Sequence, residues 1–137
     1  MISFRFLTAR QRKTLEAVVE IVMEPARGRG SAELAKSLGM SRESVYQLLL
    51  PLVRSGLLIG DRGRNGGYRG APGTASARVS DVLGFPRSGE PLEDSPEWVG
   101  RIERLAGNAV LQVFDSMTVG DLAGELRATR SAPTWEI

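Results

Sequence analysis

The stretch Arg62-Gly63-Arg64-Asn65-Gly66-Gly67-Tyr68-Arg69 decides how this chain is read. Asn65-Gly66 is a strong hairpin signal, because both residue types tolerate the positive φ of a type I′ turn. Leu57, Leu58 and Ile59 form a short apolar strand leading into it. Arg62 and Arg64 lie two apart, so in an extended ladder they project to the same side, and the glycines leave the backbone free to press against a nucleic-acid backbone. An arginine held on such a tip can enter a minor groove, where the potential is most negative when the groove is narrow. The run therefore reads as the wing of a winged-helix DNA-binding domain. Taken alone, it is equally a solvated hairpin between two domains.

The residues before it weigh on that choice. Thr8 with Gln11 three residues on is a capping box, and it predicts a helix from about Ala9 to Met23 whose apolar face carries Leu15, Val18, Val19, Val22 and Met23. Pro25 and the turn Arg27-Gly28-Arg29-Gly30 break that helix. Ser31 with Glu33 opens a second, short helix through Leu38, and Gly39 follows at the position favoured for a left-handed cap. Ser41 caps a third helix, from Arg42 to about Ser55, which Gly56 stops. Ala35, Gly39 and Val45 are small or apolar where the second and third helices cross, which is the spacing of a helix-turn-helix. Many α-hairpins share a glycine turn. A helix-turn-helix followed at once by a basic hairpin is a much rarer combination.

Charge supports the same division. The chain has 137 residues and a formal net charge of +2, but residues 1–70 hold 12 Lys+Arg against 6 Asp+Glu, whereas residues 71–137 hold 6 against 10. Such polarity points to a nucleic-acid-facing part and a part with another task. The basic excess is almost wholly arginine, which suits bidentate contact with phosphate or guanine, although a GC-rich genome also favours its codons. The chain contains no cysteine and no histidine. Zinc fingers, thiolate clusters, disulfides and Ser-His-Asp or Cys-His nucleophilic sites are thereby excluded. No apolar run approaches the roughly 20 residues that span a bilayer, and no signal peptide is evident at the N-terminus. A soluble, cytoplasmic protein that is not an enzyme is expected.

Beyond the hairpin, Ser95-Pro96-Glu97 is a helix start with proline at its favoured first position. The helix is expected to run to about Ser116, with Trp98, Ile102, Leu105, Ala109 and Val113 on one stripe and Val99, Ala106, Val110, Phe114 and Met117 beside it. That is too much apolar face for a lone surface helix. Gly100 and Gly107 share a line along it and permit close approach of a partner backbone. It reads as a dimerisation helix that also docks on the helix 1 region; the alternative is an intrachain core helix. Thr118 with Asp121 caps a last helix to about Arg127, and residues 128–137 look like a loose tail.

Several of these segments together resemble the Rrf-two family of bacterial winged-helix transcription regulators. The resemblance is carried by Leu7-Thr8, by Pro51-Leu52 through Ser55-Gly56-Leu57, by Arg62-Gly63 with Gly66-Gly67-Tyr68, by Ala77-Arg78-Val79-Ser80-Asp81-Val82, and by Thr118-Val119-Gly120-Asp121-Leu122. It implies a third helix that reads the major groove through Ser41, Glu43, Ser44, Tyr46 and Gln47. It also implies a wing in which Arg62 enters the minor groove and Gly67 lets the backbone approach a phosphate. Tyr46 stands where several members have a cytosine-accepting glutamate, and Ser44 where a tyrosine is common, so the target sequence does not transfer. Tyr68 is read as a strand residue packing the wing onto the core. Cluster-bearing members place three cysteines in a loop that corresponds to Gly84 through Ser95, and none is a cysteine here. Glu90, Glu93 and Asp94 in that loop are read as solvated acids, and a carboxylate that ligates the cluster in some relatives aligns with Arg12. No metal or other cofactor is expected.

The reading that results is a mainly α chain with a small β-hairpin: a winged helix-turn-helix domain over 1–83, a loop over 84–95, a dimerisation helix and short C-terminal helix over 96–127, and a tail. Its expected partners are double-stranded DNA, a second copy of the chain, and an unidentified small-molecule or protein effector. Ser41, Arg42, Glu43, Ser44, Tyr46, Gln47, Arg62, Arg64, Asn65, Gly66 and Gly67 are the expected DNA contacts, with Arg10, Arg12 and Arg27 adding phosphate neutralisation. A winged-helix module that binds protein instead of DNA is the alternative.

Overall fold

The Thr8 and Gln11 spacing produces a reciprocal cap: Thr8 Oγ1 accepts from the Gln11 N–H at 3.1 Å, and Gln11 Oε1 accepts from the Thr8 N–H at 3.0 Å. Two otherwise orphaned backbone donors are satisfied at once, which fixes where the first helix begins. A computed structural model describes residues 6–61, 66–85 and 96–131. Along the chain these form α1 (Ala9–Val22), β1 (Arg29–Gly30), α2 (Ser31–Leu38), α3 (Arg42–Arg54), β2 (Leu58–Asp61) and β3 (Gly67–Gly70). A 3₁₀ turn (Thr74–Ser76), α4 (Val79–Leu83), α5 (Glu97–Asp115) and α6 (Val119–Ser131) follow.

The helix-turn-helix is built as its spacing predicts. Gly39 closes α2 in the left-handed region at φ 65°, and the Met40 N–H donates to the Ala35 carbonyl at 2.9 Å. Ser41 Oγ then accepts from the Ser44 N–H at 3.1 Å to open α3. Val45, Leu48, Leu49 and Leu52 turn inward, where they meet Ala17, Val18 and Ile21 of α1 and Leu34 and Leu38 of α2 in one core. Val45 and Leu49 are wholly buried.

The start of α2 differs from expectation. Gly30, not Ser31, is the residue that caps it, and no side chain contributes. The cause is a strand: Arg29 and Gly30 pair antiparallel with Tyr68 and Gly67, making a three-stranded sheet of order β1-β3-β2. This strand passes so close to β3 that a Cβ on Gly67 would lie 2.4 Å from the Arg29 carbonyl oxygen. Gly28, at φ 71°, makes the bend into it. In the hairpin, Leu58 through Asp61 pair antiparallel with Gly70 through Gly67. Arg62, Arg64 and Asn65 themselves lie outside the described residues.

The C-terminal half leaves the body and comes back. The Val79 N–H donates to the Met117 carbonyl and the Val119 N–H to the Ala77 carbonyl, both at 2.9 Å, so the chain returns beside its point of departure. Here α6, rather than α5, lies along α1, inserting Val119 and Ala123 into the core. The main contact of α5 with the body is through α4, supplemented by a ring cluster of Phe6, Phe85 and Phe114 whose centroids are 5.2 to 6.4 Å apart. Helix α6 continues to Ser131, past the Arg127 end predicted from periodicity. Its last turns are tethered: Arg127 donates to the Met23 and Val22 carbonyls at 3.0 and 3.3 Å, and Arg130 pairs with Glu20. The two Arg127 bonds satisfy carbonyls that the end of α1 would otherwise leave open. No helix among the described residues is long and apolar enough to cross a membrane.

Because Leu49 is fully buried where three helices meet, Leu49→Ala is expected to lower unfolding free energy by about 2–5 kcal/mol. Urea denaturation followed by circular dichroism checks this; a loss near zero would contradict the packing described.

Candidate nucleic-acid interface

With Val45, Leu48, Leu49 and Leu52 committed to the core, the helical period turns Arg42, Glu43, Ser44, Tyr46 and Gln47 to solvent, and all five are exposed. Ser41 and Ser44 bond to each other through their hydroxyls at 2.9 Å, and Gln47 Nε2 donates to Glu43 Oε1 at 3.2 Å. From the opposite side, Arg10 of α1 donates to the Gln47 carbonyl at 3.3 Å. That bond, invisible in sequence, spends part of Arg10 on holding α3.

One side of α3 and the root of the hairpin share a concavity of about 330 Å³, lined by Ser31, Arg42, Tyr46, Leu50, Val53, Gly60, Asp61, Gly66, Gly67 and Tyr68. The structure thus brings Arg42 and Tyr46 together with Gly66 and Gly67, whereas Glu43, Ser44 and Gln47 line a separate concavity with Ala9, Arg10 and Lys13 of α1. Tyr68 is buried and belongs to the core, as expected of a packing residue. Burial raises its phenol pKa, and the nearby Tyr46 raises it further. The wing root is fixed to the helix-turn-helix by the Ser31 N–H, which donates to the Gly66 carbonyl at 2.9 Å.

An ionic cluster holds the same root from behind. Arg29, largely withdrawn from solvent, reaches Glu20, Glu24 and Glu33, each at 3.4 Å. Arg27 pairs with Glu24 at 3.0 Å and also with Glu33. The Arg27 hydrogen bond, and then the Arg29 charge, holds the Glu24 carboxyl below its ordinary range, while Glu24 and Glu33 raise the Arg27 guanidinium. Arg27, one of the expected phosphate neutralisers, is paired with these carboxylates while its side chain stays exposed. No comparable ion pair engages Arg42 among the described residues.

This arrangement, a polar helix face and a β-hairpin root opening on one side of a helix-turn-helix, defines a winged-helix DNA-binding protein. The family of iron-dependent transcriptional regulators called Rrf2 matches residues 7–125, and the chain belongs to it. It is a DNA-binding transcriptional regulator and not an enzyme. Among solved structures it is similar to CymR of Staphylococcus aureus, with a TM-score of 0.71 and 23% identity over 85% of this chain and 96% of that one. It is also similar to CymR (YrzC), the global cysteine regulator of B. subtilis, with a TM-score of 0.67 and 26% identity over 91% and 98%. For IscR of T. potens the TM-score is 0.75 and the identity 19%, over 95% and 94%. No curated protein matches the sequence.

The iron in the family's description does not fit the donors of this chain. It has no cysteine and no histidine, and among the described residues no three Asp, Glu, His or Cys side chains converge on a point that could hold a metal. Glu90, Glu93 and Asp94 lie outside the described residues.

Gly67 is where the wing root meets β1 backbone to backbone. Gly67→Ala places a methyl group against the Arg29 carbonyl and is expected to break the β1–β3 pairing. Faster amide exchange at Ser31 and Tyr68, with the α1–α3 core amides unchanged, is the outcome that checks it. Unchanged protection at both positions would count against the close approach.

Proposed function

We propose that the chain acts in the cytoplasm as a homodimer on a pseudo-palindromic duplex. Each protomer sets α3 in a major groove and its hairpin in the adjoining minor groove. Ser41, Glu43, Ser44, Tyr46 and Gln47 face the bases, and Arg42 faces a phosphate. Arg62, Arg64, Asn65, Gly66 and Gly67 form the wing contact. The single observation that supports this reading best is the shared concavity between α3 and the hairpin root, which makes helix and wing neighbours on one surface.

Support for the second copy comes from α5. None of its residues is buried, although Trp98 is 65% exposed, Ile102 56%, Leu105 63% and Val113 55%. Ala109 is exposed on the same stripe. The neighbouring Val99, Val110, Phe114 and Met117 are the ones half-covered by the chain itself. No atom of the described chain crowds Gly107. Apolar surface of this extent is costly in water and matches a symmetric partner helix. The division of labour is then residues 1–83 with the wing for DNA, 84–95 as a connection and 96–127 for assembly, with α6 also bracing the DNA-binding body.

Two measurements test this reading. Leu105→Arg sets a charge into the stripe and is expected to halve the mass seen by sedimentation while leaving the far-ultraviolet spectrum unchanged; a wild type that already sediments as a monomer would rule the dimer out. In duplex titrations across salt concentrations, Arg42→Ala is expected to weaken binding to all sequences alike and to reduce the salt slope by about one. A slope identical to that of the wild type would remove Arg42 from the phosphate contacts.

A further inference from the structure

Glu43 and Gln47 stand one helical turn apart on the exposed side of α3, joined by the 3.2 Å bond from Gln47 Nε2 to Glu43 Oε1. A carboxylate only accepts, so this bond fixes how the Gln47 amide is turned, with its nitrogen toward Glu43 and its oxygen away. One amide hydrogen is committed to Glu43; one hydrogen and the carbonyl oxygen remain. That remainder, a donor beside an acceptor, matches the major-groove edge of adenine, which offers N7 to the donor and its N6 amino group to the acceptor. Guanine presents N7 and O6, two acceptors, and would need both amide hydrogens.

Glu43 carries the complementary restriction. Its second carboxylate oxygen makes no bond to another described residue, and it can take only a base that donates. In the major groove those are cytosine through N4 and adenine through N6, whereas guanine and thymine present acceptors and repel it. The two head groups are separated by 3.2 Å, close to the roughly 3.4 Å rise between successive bases of one strand. A carboxylate turned toward a polyanion weakens binding to every sequence, and contact with a donating base is what offsets that cost.

Resting on the reading of α3 as the major-groove helix, we propose that Glu43 and Gln47 form one two-base reader. Gln47 takes adenine, and Glu43 takes the next base on the same strand, cytosine or adenine, in each half-site. The bond between the two side chains makes the choices interdependent, since Glu43 sets the amide orientation that excludes guanine at Gln47.

Selection of bound duplexes from a random pool, with wild type, Glu43→Gln and Gln47→Ala in parallel, tests this. Both side chains are exposed, so all three proteins are expected to melt at the same temperature. Wild type is expected to enrich adenine next to cytosine or adenine. Glu43→Gln is expected to lose about tenfold of the discrimination against guanine and thymine at the second base, and some of that against guanine at the first. It is also expected to bind unselected duplex several-fold more tightly at low salt. Gln47→Ala is expected to lose the adenine requirement. Identical base preferences for wild type and Glu43→Gln would overturn the two-base reader while leaving DNA recognition by α3 intact. A wild type that enriches no duplex would overturn the recognition itself.

Discussion

The rest of the structure depends on the way one helix is divided. Four residues of α3, Val45, Leu48, Leu49 and Leu52, are committed to a core shared with α1 and α2, and that commitment dictates the direction of every other side chain on the helix. The Ser41 cap sets where the period starts, and the left-handed Gly39 sets the angle at which it enters. Rotating α3 back by one residue would bury Ser44 and Gln47 and expose Val45 and Leu49. The outward set of Arg42, Glu43, Ser44, Tyr46 and Gln47 is therefore a consequence of hydrophobic burial.

The hairpin is bound to that helix by less obvious means. Gly66 accepts a hydrogen bond from the first residue of α2, Gly67 presses against β1, and Tyr68 enters the core. Behind them, Arg29 gathers Glu20, Glu24 and Glu33, and Glu20 also receives Arg130 from α6. The half-exposed ion pairs add little stability singly. Their value is geometric: one cluster ties the strand beside the wing, the end of α1, the start of α2 and the last turn of α6.

Much of this was legible in the sequence because it rests on local chemistry. The Thr8–Gln11 and Thr118–Asp121 capping boxes, the Gly39 turn and the Ser41 cap are decided within four residues. The α5 stripe was legible because nineteen residues give its period room to show. What the sequence hid is decided by contacts between distant segments. A strand of two residues, Arg29–Gly30, has no period of its own and exists only because β3 runs beside it. The last turn of α6 has a weak apolar pattern and is held by Arg127 and Arg130 on α1, more than a hundred residues away in sequence. The register of the hairpin, with Asp61 opposite Gly67, is likewise a matter of strand pairing. The partners of Arg29 are also decided by packing, which brings Glu20 of α1 to it.

The family tie supplies DNA binding and regulation, while the absence of cysteine and histidine removes the usual chemistry of an iron-sulfur signal. What is left to carry recognition is side-chain geometry on α3 and the hairpin. The most direct measurement of that claim is the change in backbone amide resonances when a bound duplex is titrated into the labelled protein. Shifts concentrated at Ser41 through Gln47 and at Gly66 and Gly67, with Glu125 through Arg130 unmoved, are the predicted result. Shifts confined to α5 or α6, with the amides of α3 unchanged, would contradict the account.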